Sequence, residues 1–423
     1  MKIHFSIPIV VLILSSLFGF FFAIQVFENR SAVSEDEYKN DVVTLLDNIK
    51  PIIEDFRALP GPEVINVEVI TNDWAEDTWG RQYYSSKKRE VEIEEQIYKL
   101  LFIIPMEKNL TRSYVESSGF TAGMLDNTLY VVKEYFNPEQ EIAAEIIAHE
   151  LVHAIQSENF EPPELEFYDE KQAWSALIEG DAIFTARQFS MLRVEEDSLY
   201  VECLNSILPV IEPSKAHRLD SISCLKMFPY DYGEEFIDTL FDYGGWETVN
   251  KAYYNSPVST EQIIHPKKYL NNEPPENLEM PISLSEEWNL ERTDRMGEHF
   301  VFIMLANWLD DDQARLASEG WGGDKLEYFE SDNDQLLVWY LRWDSIRDAE
   351  EFYESFNFLI DRTGGTNIES NELNSIDASV KSWEVSWINI TIMLKDRDII
   401  LIESNNEGAL FRILDKVLIS LSA

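Results

Sequence analysis

Glu145-Ile146-Ile147-Ala148-His149-Glu150-Leu151-Val152-His153-Ala154-Ile155-Gln156 is the stretch on which the reading of this chain turns. It contains His-Glu-x-x-His. On a helix, His149 and His153 stand one turn apart on the same face, so both imidazoles can reach one metal ion. Glu150 lies about 100° round from His149, placed to address a water rather than the metal. Between Ile142 and Ile155 every other position except Glu145 is apolar, which predicts a helix buried on most sides. Ionisable groups in such a helix are costly unless they bind something.

A hydrolytic zinc site has three protein ligands and an open position for water. Glu179 supplies the third ligand in Ala176-Leu177-Ile178-Glu179-Gly180-Asp181-Ala182, with Gly180 letting this second apolar helix come close to the first. Asp181 reads as a group that orients a ligand histidine, or as the ligand in place of Glu179.

Outward from these helices the chain divides into segments. Residues 1–27 form an apolar anchor, 28–60 a helical stalk, 61–270 the domain with the metal site, 271–290 a linker rich in proline and acids, and 291–423 a C-terminal α+β domain. Val42, Leu45, Leu46, Ile49, Ile52 and Ile53 recur at helical spacing within 35–57. Val64–Ile70 predicts a strand, Glu90–Phe102 a helix, and Leu125–Val132 a strand or hairpin turning at Asp126-Asn127. Asn137 and Pro138 read as the cap and first residue of the active helix, and a second helix is expected over 171–191. Beyond the linker the pattern predicts a helix over 295–318 and strands at 325–330 and 335–343. A helix at 345–359, strands at 383–394 and 398–403 and a last helix at 406–421 complete it.

The His149–Gln156 and Ala176–Ala182 blocks resemble those of a largely uncharacterised family of bacterial and archaeal HExxH proteins that look like gluzincin-type metallopeptidases. Phe228-Pro229-Tyr230-Asp231-Tyr232-Gly233, Gly244-Gly245-Trp246 and Ser259-Thr260-Glu261-Gln262-Ile263-Ile264-His265-Pro266 extend the likeness, which runs over 64–269 and more weakly through Trp321-Gly322-Gly323-Asp324. Where family members read Ala-Gly-Phe-Tyr-Asp, this chain has Ala122-Gly123-Met124-Leu125-Asp126. The resemblance implies a zincin-like fold and a zinc site. In gluzincins a later histidine or tyrosine often stabilises the tetrahedral intermediate, which points to His265 or Tyr230; the other reading of His265 is that it closes a short helix stopped by Pro266.

Composition narrows the partners. With 78 acidic and 34 basic residues the formal charge is −44, which excludes a nucleic-acid ligand because phosphate binding needs clustered lysine and arginine. Phe5–Val26 carries no charge and is long enough to span a bilayer. Lys2 before it and Glu28 after it orient the bulk of the chain outside the cytoplasm; secretion after signal cleavage is the alternative. There Cys203 and Cys224 can pair, worth about 3 kcal/mol, or remain thiols. The expected fold class is therefore α+β: a zincin-like metallopeptidase domain with an N-terminal transmembrane helix and a smaller C-terminal α+β domain. The expected function is peptide-bond hydrolysis with Zn2+ held by His149, His153 and Glu179, Glu150 as general base and His265 as a catalytic candidate. Leu125–Val132 is placed to pair with an extended peptide or protein substrate. A membrane-anchored binding protein with a structural zinc site is the alternative from another class, and zinc hydrolysis of a non-peptide amide a third.

Overall fold

The computed structural model describes residues 34–116, 119–193, 220–282, 287–331, 333–368 and 378–422. Helix α1 (Glu35–Arg57) is capped by the Ser34 hydroxyl and buries Val42, Leu46, Ile49, Ile53 and Arg57 along one stripe. Strand β1 (Asn66–Ile70) leads into short helical turns over 72–86, then α2 (Lys88–Leu100) and α3 (Leu110–Glu116). A hairpin of β2 (Ala122–Leu125) and β3 (Thr128–Val132) turns through Asp126 and Asn127 at φ 46° and 56°, the left-handed pair that a tight two-residue turn demands.

The sheet order is β1-β3-β2, with β1 parallel and β2 antiparallel to β3. Next come α4 (Glu141–Asn159), α5 (Tyr168–Arg193) and α6 (Ser221–Tyr254). α6 is broken at Gly244-Gly245, where Gly245 takes φ 63°. Two short helices, α7 (Thr260–Ile264) and α8 (Pro266–Leu270), follow. Asn137 does not cap α4. Its Oδ1 accepts from Glu139 N in a local turn, and the helix begins four residues later behind Gln140. Asparagine satisfies its own downstream backbone as readily in a turn as at a cap.

The C-terminal half comprises β4 (Asn289–Asp294), α9 (Gly297–Ala306), α10 (Asp311–Ser318), β5 (Trp321–Glu330), β6 (Gln335–Trp343) and α11 (Ile346–Thr363). It closes with β7 (Thr366–Asn367), β8 (Ser379–Val385), β9 (Ile388–Lys395), β10 (Asp398–Ser404) and α12 (Glu407–Ser422). The strands form one antiparallel sheet in the order β4-β5-β6-β10-β9-β8-β7. Both faces are covered. In β10, Ile399 and Leu401 enter a large core with α9 and α11, while Ile400 and Ile402 enter a second core against α12. Coverage of both faces explains the unbroken apolar run there. Tyr84, Val91, Ile97 and Leu110, from the first half of the chain, share that larger core with Trp321, Trp339 and Trp343. The expected strand over 383–394 is a hairpin, because Ser386 adopts φ 56° and turns the chain. The expected helix over 295–318 is two helices, the second started by the Asp310 cap.

This architecture corrects the expected fold class. The chain is mixed α+β with a seven-stranded antiparallel sheet, not a zincin-like domain bearing a transmembrane helix and a minor α+β appendage. Among the described residues no helix is long and apolar enough to cross a membrane. The apolar run Phe5–Val26 and Cys203 lie outside those residues.

Gly180 serves a different helix from the one expected. A Cβ on Gly180 would stand 2.2 Å from the carbonyl oxygen of Gly233, and one on Gly233 2.4 Å from that of Ala176. α5 and α6 therefore touch backbone to backbone at a glycine pair. Gly180→Ala should cost about 1–3 kcal/mol, because backbone rather than a flexible side chain must yield. Gly408→Ala, where a Cβ in the first turn of α12 meets nothing nearer than 3.4 Å, should be neutral or slightly stabilising. Urea midpoints of the two variants measure the contrast, and equal midpoints would refute the close crossing.

Candidate metal centre

α4 packs against α1, β2 and α5, and α5 against α6. That stacking brings side chains of α4 and α5 to one buried point. His149, His153 and Glu179 are 9 %, 5 % and 1 % exposed, and their donor atoms form one compact cluster. His153 Nε2 lies 3.1 Å from His149 Nε2, while Glu179 Oε2 lies 3.3 Å from His149 Nε2 and 3.6 Å from His153 Nε2. A tetrahedral ion with bonds of about 2.0–2.1 Å needs donors roughly 3.3–3.4 Å apart. The three separations bracket that value, so the residues fit a small divalent cation. Both Glu179 oxygens are buried and Oε2 faces the two imidazoles, so a cation there would meet a carboxylate already withdrawn from water.

Without a metal the cluster is an imidazolium–carboxylate pair. Burial disfavours the charge on His153, but Glu179 outweighs it and lifts the pKa to about 9. Burial works against Glu179 in the same way, yet the charge of His153 and bonding to both histidines hold it at about 2. A cation bound there would have to displace the shared proton, since an imidazole ligates through a free lone pair.

The orientation of His153 is fixed from behind. Gln156 Nε2 donates to the Ile178 carbonyl and to Tyr253 Oη, each at 2.9 Å, so its Oε1 is left to accept from His153 Nδ1 at 2.8 Å. This assigns the proton to Nδ1 and turns Nε2 toward His149 and Glu179. Tyr253 Oη in turn donates to Asp181 Oδ2 at 2.6 Å. Asp181 receives Arg57 through Nε and Nη2, at 3.0 Å each. Arg57 is fully buried, with Trp246 4.1 Å from its guanidinium carbon. Burial opposes its charge, but Asp181 more than compensates and raises its pKa. Asp181 is therefore not part of the donor set; it steadies His153 through Tyr253 and Gln156. Gln156→Leu should weaken binding of a divalent cation at the triad about 10–100-fold, measured by competition with a chromophoric chelator, and should cost about 1–3 kcal/mol of stability by leaving buried partners unpaired. Unchanged affinity would break this chain of support.

Glu150 is 3 % exposed. Burial raises its pKa, opposed by His153 and His149 and by the main-chain N–H of Met124 in β2. Tyr230 shares this space. Burial first, then Glu179 and Glu150, push its phenol well above the usual range. His265 stands elsewhere. Its Nε2 lies 3.1 Å from Glu298, in a group where Lys268 contacts Glu261 and Asp344. Ser259 caps α7, and Thr260 bonds the buried Asp169. The Ser259–Pro266 block thus joins α5 to α9, and of the two candidates for stabilising an intermediate only Tyr230 adjoins Glu150 and Glu179.

Asp324, from Trp321-Gly322-Gly323-Asp324, accepts from Met296 N, Gly297 N and the indoles of Trp321 and Trp339. It ties α9 to the sheet. Leu125–Val132, expected to pair with substrate, is filled on both sides along β3, so the edges of this small sheet are β1 and β2. Arg57, Gln156 and Tyr253 were not singled out as functional from sequence. Arg57 carried a signal, because it continues the buried stripe of Ile49 and Ile53 on α1; Tyr253 carried none.

Residues 286–412 match a family described as a domain of unknown function (DUF8575). That match spans the seven-stranded sheet and leaves out the metal-donor residues. No curated protein matches the chain. No solved structure matches it, so the zincin-like expectation has no structural counterpart and gives way to the mixed α+β description above.

Proposed function

We propose that this chain is a zinc-dependent metallopeptidase whose ion is held by His149, His153 and Glu179 and whose general base is Glu150. The spacing of the three buried donor atoms carries the reading, and the resemblance of its sequence blocks to HExxH metallopeptidases supports it. Two histidines with one carboxylate is a donor set suited to zinc in hydrolytic sites. Bound there, zinc would polarise a carbonyl and bring the pKa of a coordinated water to around 7.

The remaining chemistry belongs to the chain. The Glu150 carboxylate, held by Met124 N–H, accepts the water's proton and delivers it to the leaving nitrogen. The Tyr230 hydroxyl, beside Glu150 and Glu179, can donate to the oxygen that gains charge. Gln156 keeps His153 in its ligating orientation. A cleft of about 470 Å³, lined by Met124, His153, Gln156, Trp174 and Tyr253, reaches the site at His153.

The test is to load the full-length protein with zinc, determine metal per chain, and incubate it with a mixed-proteome peptide digest before and after chelation. Stoichiometric zinc and cleavage that disappears on chelation and returns with zinc are the expected results. Zinc without cleavage would overturn the peptidase reading and leave a structural metal site; cleavage of non-peptide amides alone would overturn the substrate class.

A further inference from the structure

We infer that the cavity between α2, α3, α5 and α6 binds a carboxylate carried on a short apolar or aromatic stem, with Lys226, Tyr84 and Tyr168 as the groups that receive it. The site is distinct from the metal donors and stands whether or not they belong to a peptidase.

The cavity measures about 240 Å³, and five tyrosines line it. Two of them are committed to an acid. Tyr98 Oη donates to Glu94 at 3.0 Å, and Tyr114 bonds the same carboxylate. Tyr84 and Tyr168 differ. Tyr84 is 6 % exposed, and its hydroxyl bonds nothing among the described residues. Its Oη is not sealed in the interior, so the surface it keeps faces the cavity it lines. Tyr168 Oη accepts from Gln172 Nε2 at 2.8 Å, which leaves its own proton to donate. Buried hydroxyls are nearly always paired, and an acceptor within the cavity is what these two lack.

Charge selects the kind of acceptor. The chain carries 78 acids against 34 bases, yet Lys171 and Lys226 line this cavity against Glu94 alone. Lys226 is partly buried, with Nζ 4.4 Å from the centre of the Tyr114 ring. Burial lowers its pKa to about 8 against the pull of Glu94 and Asp220, so an anion beside it would favour the ammonium. Burial also raises the pKa of Glu94, which lessens its repulsion of an entering carboxylate. The phenol rings supply the apolar wall for a stem.

Two sources of carboxylate fit this position. α5 and α6 run side by side here, with Gln172 bonded to the Leu225 carbonyl and Gly180 against Gly233. Ser175 and Lys226 precede Glu179 and Tyr230 by one turn of their helices. A glutamate side chain of a peptide held at the metal centre, or a free small carboxylate, offers the same group.

The experiment titrates the full-length protein with phenylacetate and with phenylacetamide, its neutral counterpart, by calorimetry. Phenylacetate should bind about ten-fold more tightly than the amide. Lys226→Met should erase that difference, and Tyr84→Phe should weaken phenylacetate about three-fold or more. Lys226→Met removes a partly buried charge, so its thermal midpoint should not fall below that of the parent, which separates lost binding from lost fold. Equal affinities for acid and amide, no saturable binding of phenylacetate, or binding unmoved by both variants would each overturn the inference. Two peptides with a central glutamate or glutamine, titrated into the Glu150→Gln protein, distinguish the sources. A glutamate preference that phenylacetate competes away assigns the pocket to a peptide side chain; phenylacetate binding without such a preference assigns it to a free carboxylate.

Discussion

On the proposed peptidase reading, a zinc-loaded Glu150→Gln protein should keep the metal and lose about 10²–10⁴-fold in peptide hydrolysis. Glutamine has nearly the shape of glutamate, and Glu150 does not belong to the donor cluster, which is formed by His149, His153 and Glu179. Metal content and fold are therefore expected to match the parent. What disappears is a buried acceptor for a proton. Glu150 Oε2 lies inside the protein with no hydrogen-bond partner, and burial raises the group's pKa against the pull of two histidines. Such an environment suits a base that must take up a proton and then release it, because a lightly solvated carboxylate holds a proton more readily than an exposed one. An amide at the same place can accept a hydrogen bond but cannot carry the proton onward. The measurement is kcat with a peptide cleaved by the parent, alongside zinc per chain. Parent-like turnover with zinc retained would remove Glu150 from the mechanism; loss of zinc would show that the side chain supports the metal site instead.

The parts of this molecule that could be read from sequence are those set by local rules. The α4 segment is apolar nearly all round, and it is buried nearly all round. His149 and His153 converge because a helical turn brings positions four apart together. Glu179 arrives from α5, and only the apolar run around it and Asp181 announced it. The support behind the donors was harder to see, because Arg57, Asp181 and Tyr253 are far apart in the chain and meet only through the packing of α1, α5 and α6. No periodicity encodes that meeting. His265 had two readings, and the structure carries the one in which it closes a short helix capped by Ser259 and followed by Pro266, with its ring beside Glu298. Gly180 was read correctly as permitting a close approach, but toward α4; the partner is Gly233 on α6, and a single glycine cannot name the helix it touches. The β8–β9 turn was hidden for a related reason, since Ser386 takes a left-handed conformation that glycine or asparagine would have advertised.

Replacing Arg57 by methionine should lower the unfolding free energy by about 3–5 kcal/mol, because it leaves the Asp181 carboxylate charged, buried and unpaired. The pair is fully enclosed, with side chains 1 % and 0 % exposed. Solvent cannot take over the role of the guanidinium. Methionine fills much of the arginine stem's volume, so the loss is electrostatic more than a cavity effect. The doubly substituted Arg57→Met/Asp181→Leu protein separates stability from function. With no buried charge left, much of the stability should return. Zinc affinity should not, because Tyr253 loses the acceptor of its hydroxyl proton and with it the arrangement that holds Gln156 against His153. A deficit of about ten-fold in zinc affinity is expected in the double variant, read by chelator competition beside urea denaturation. If the double variant recovers both properties, the ion pair serves the fold alone and the line from Arg57 to His153 carries no support for the metal. If Arg57→Met is as stable as the parent, Asp181 is not paired as the structure shows.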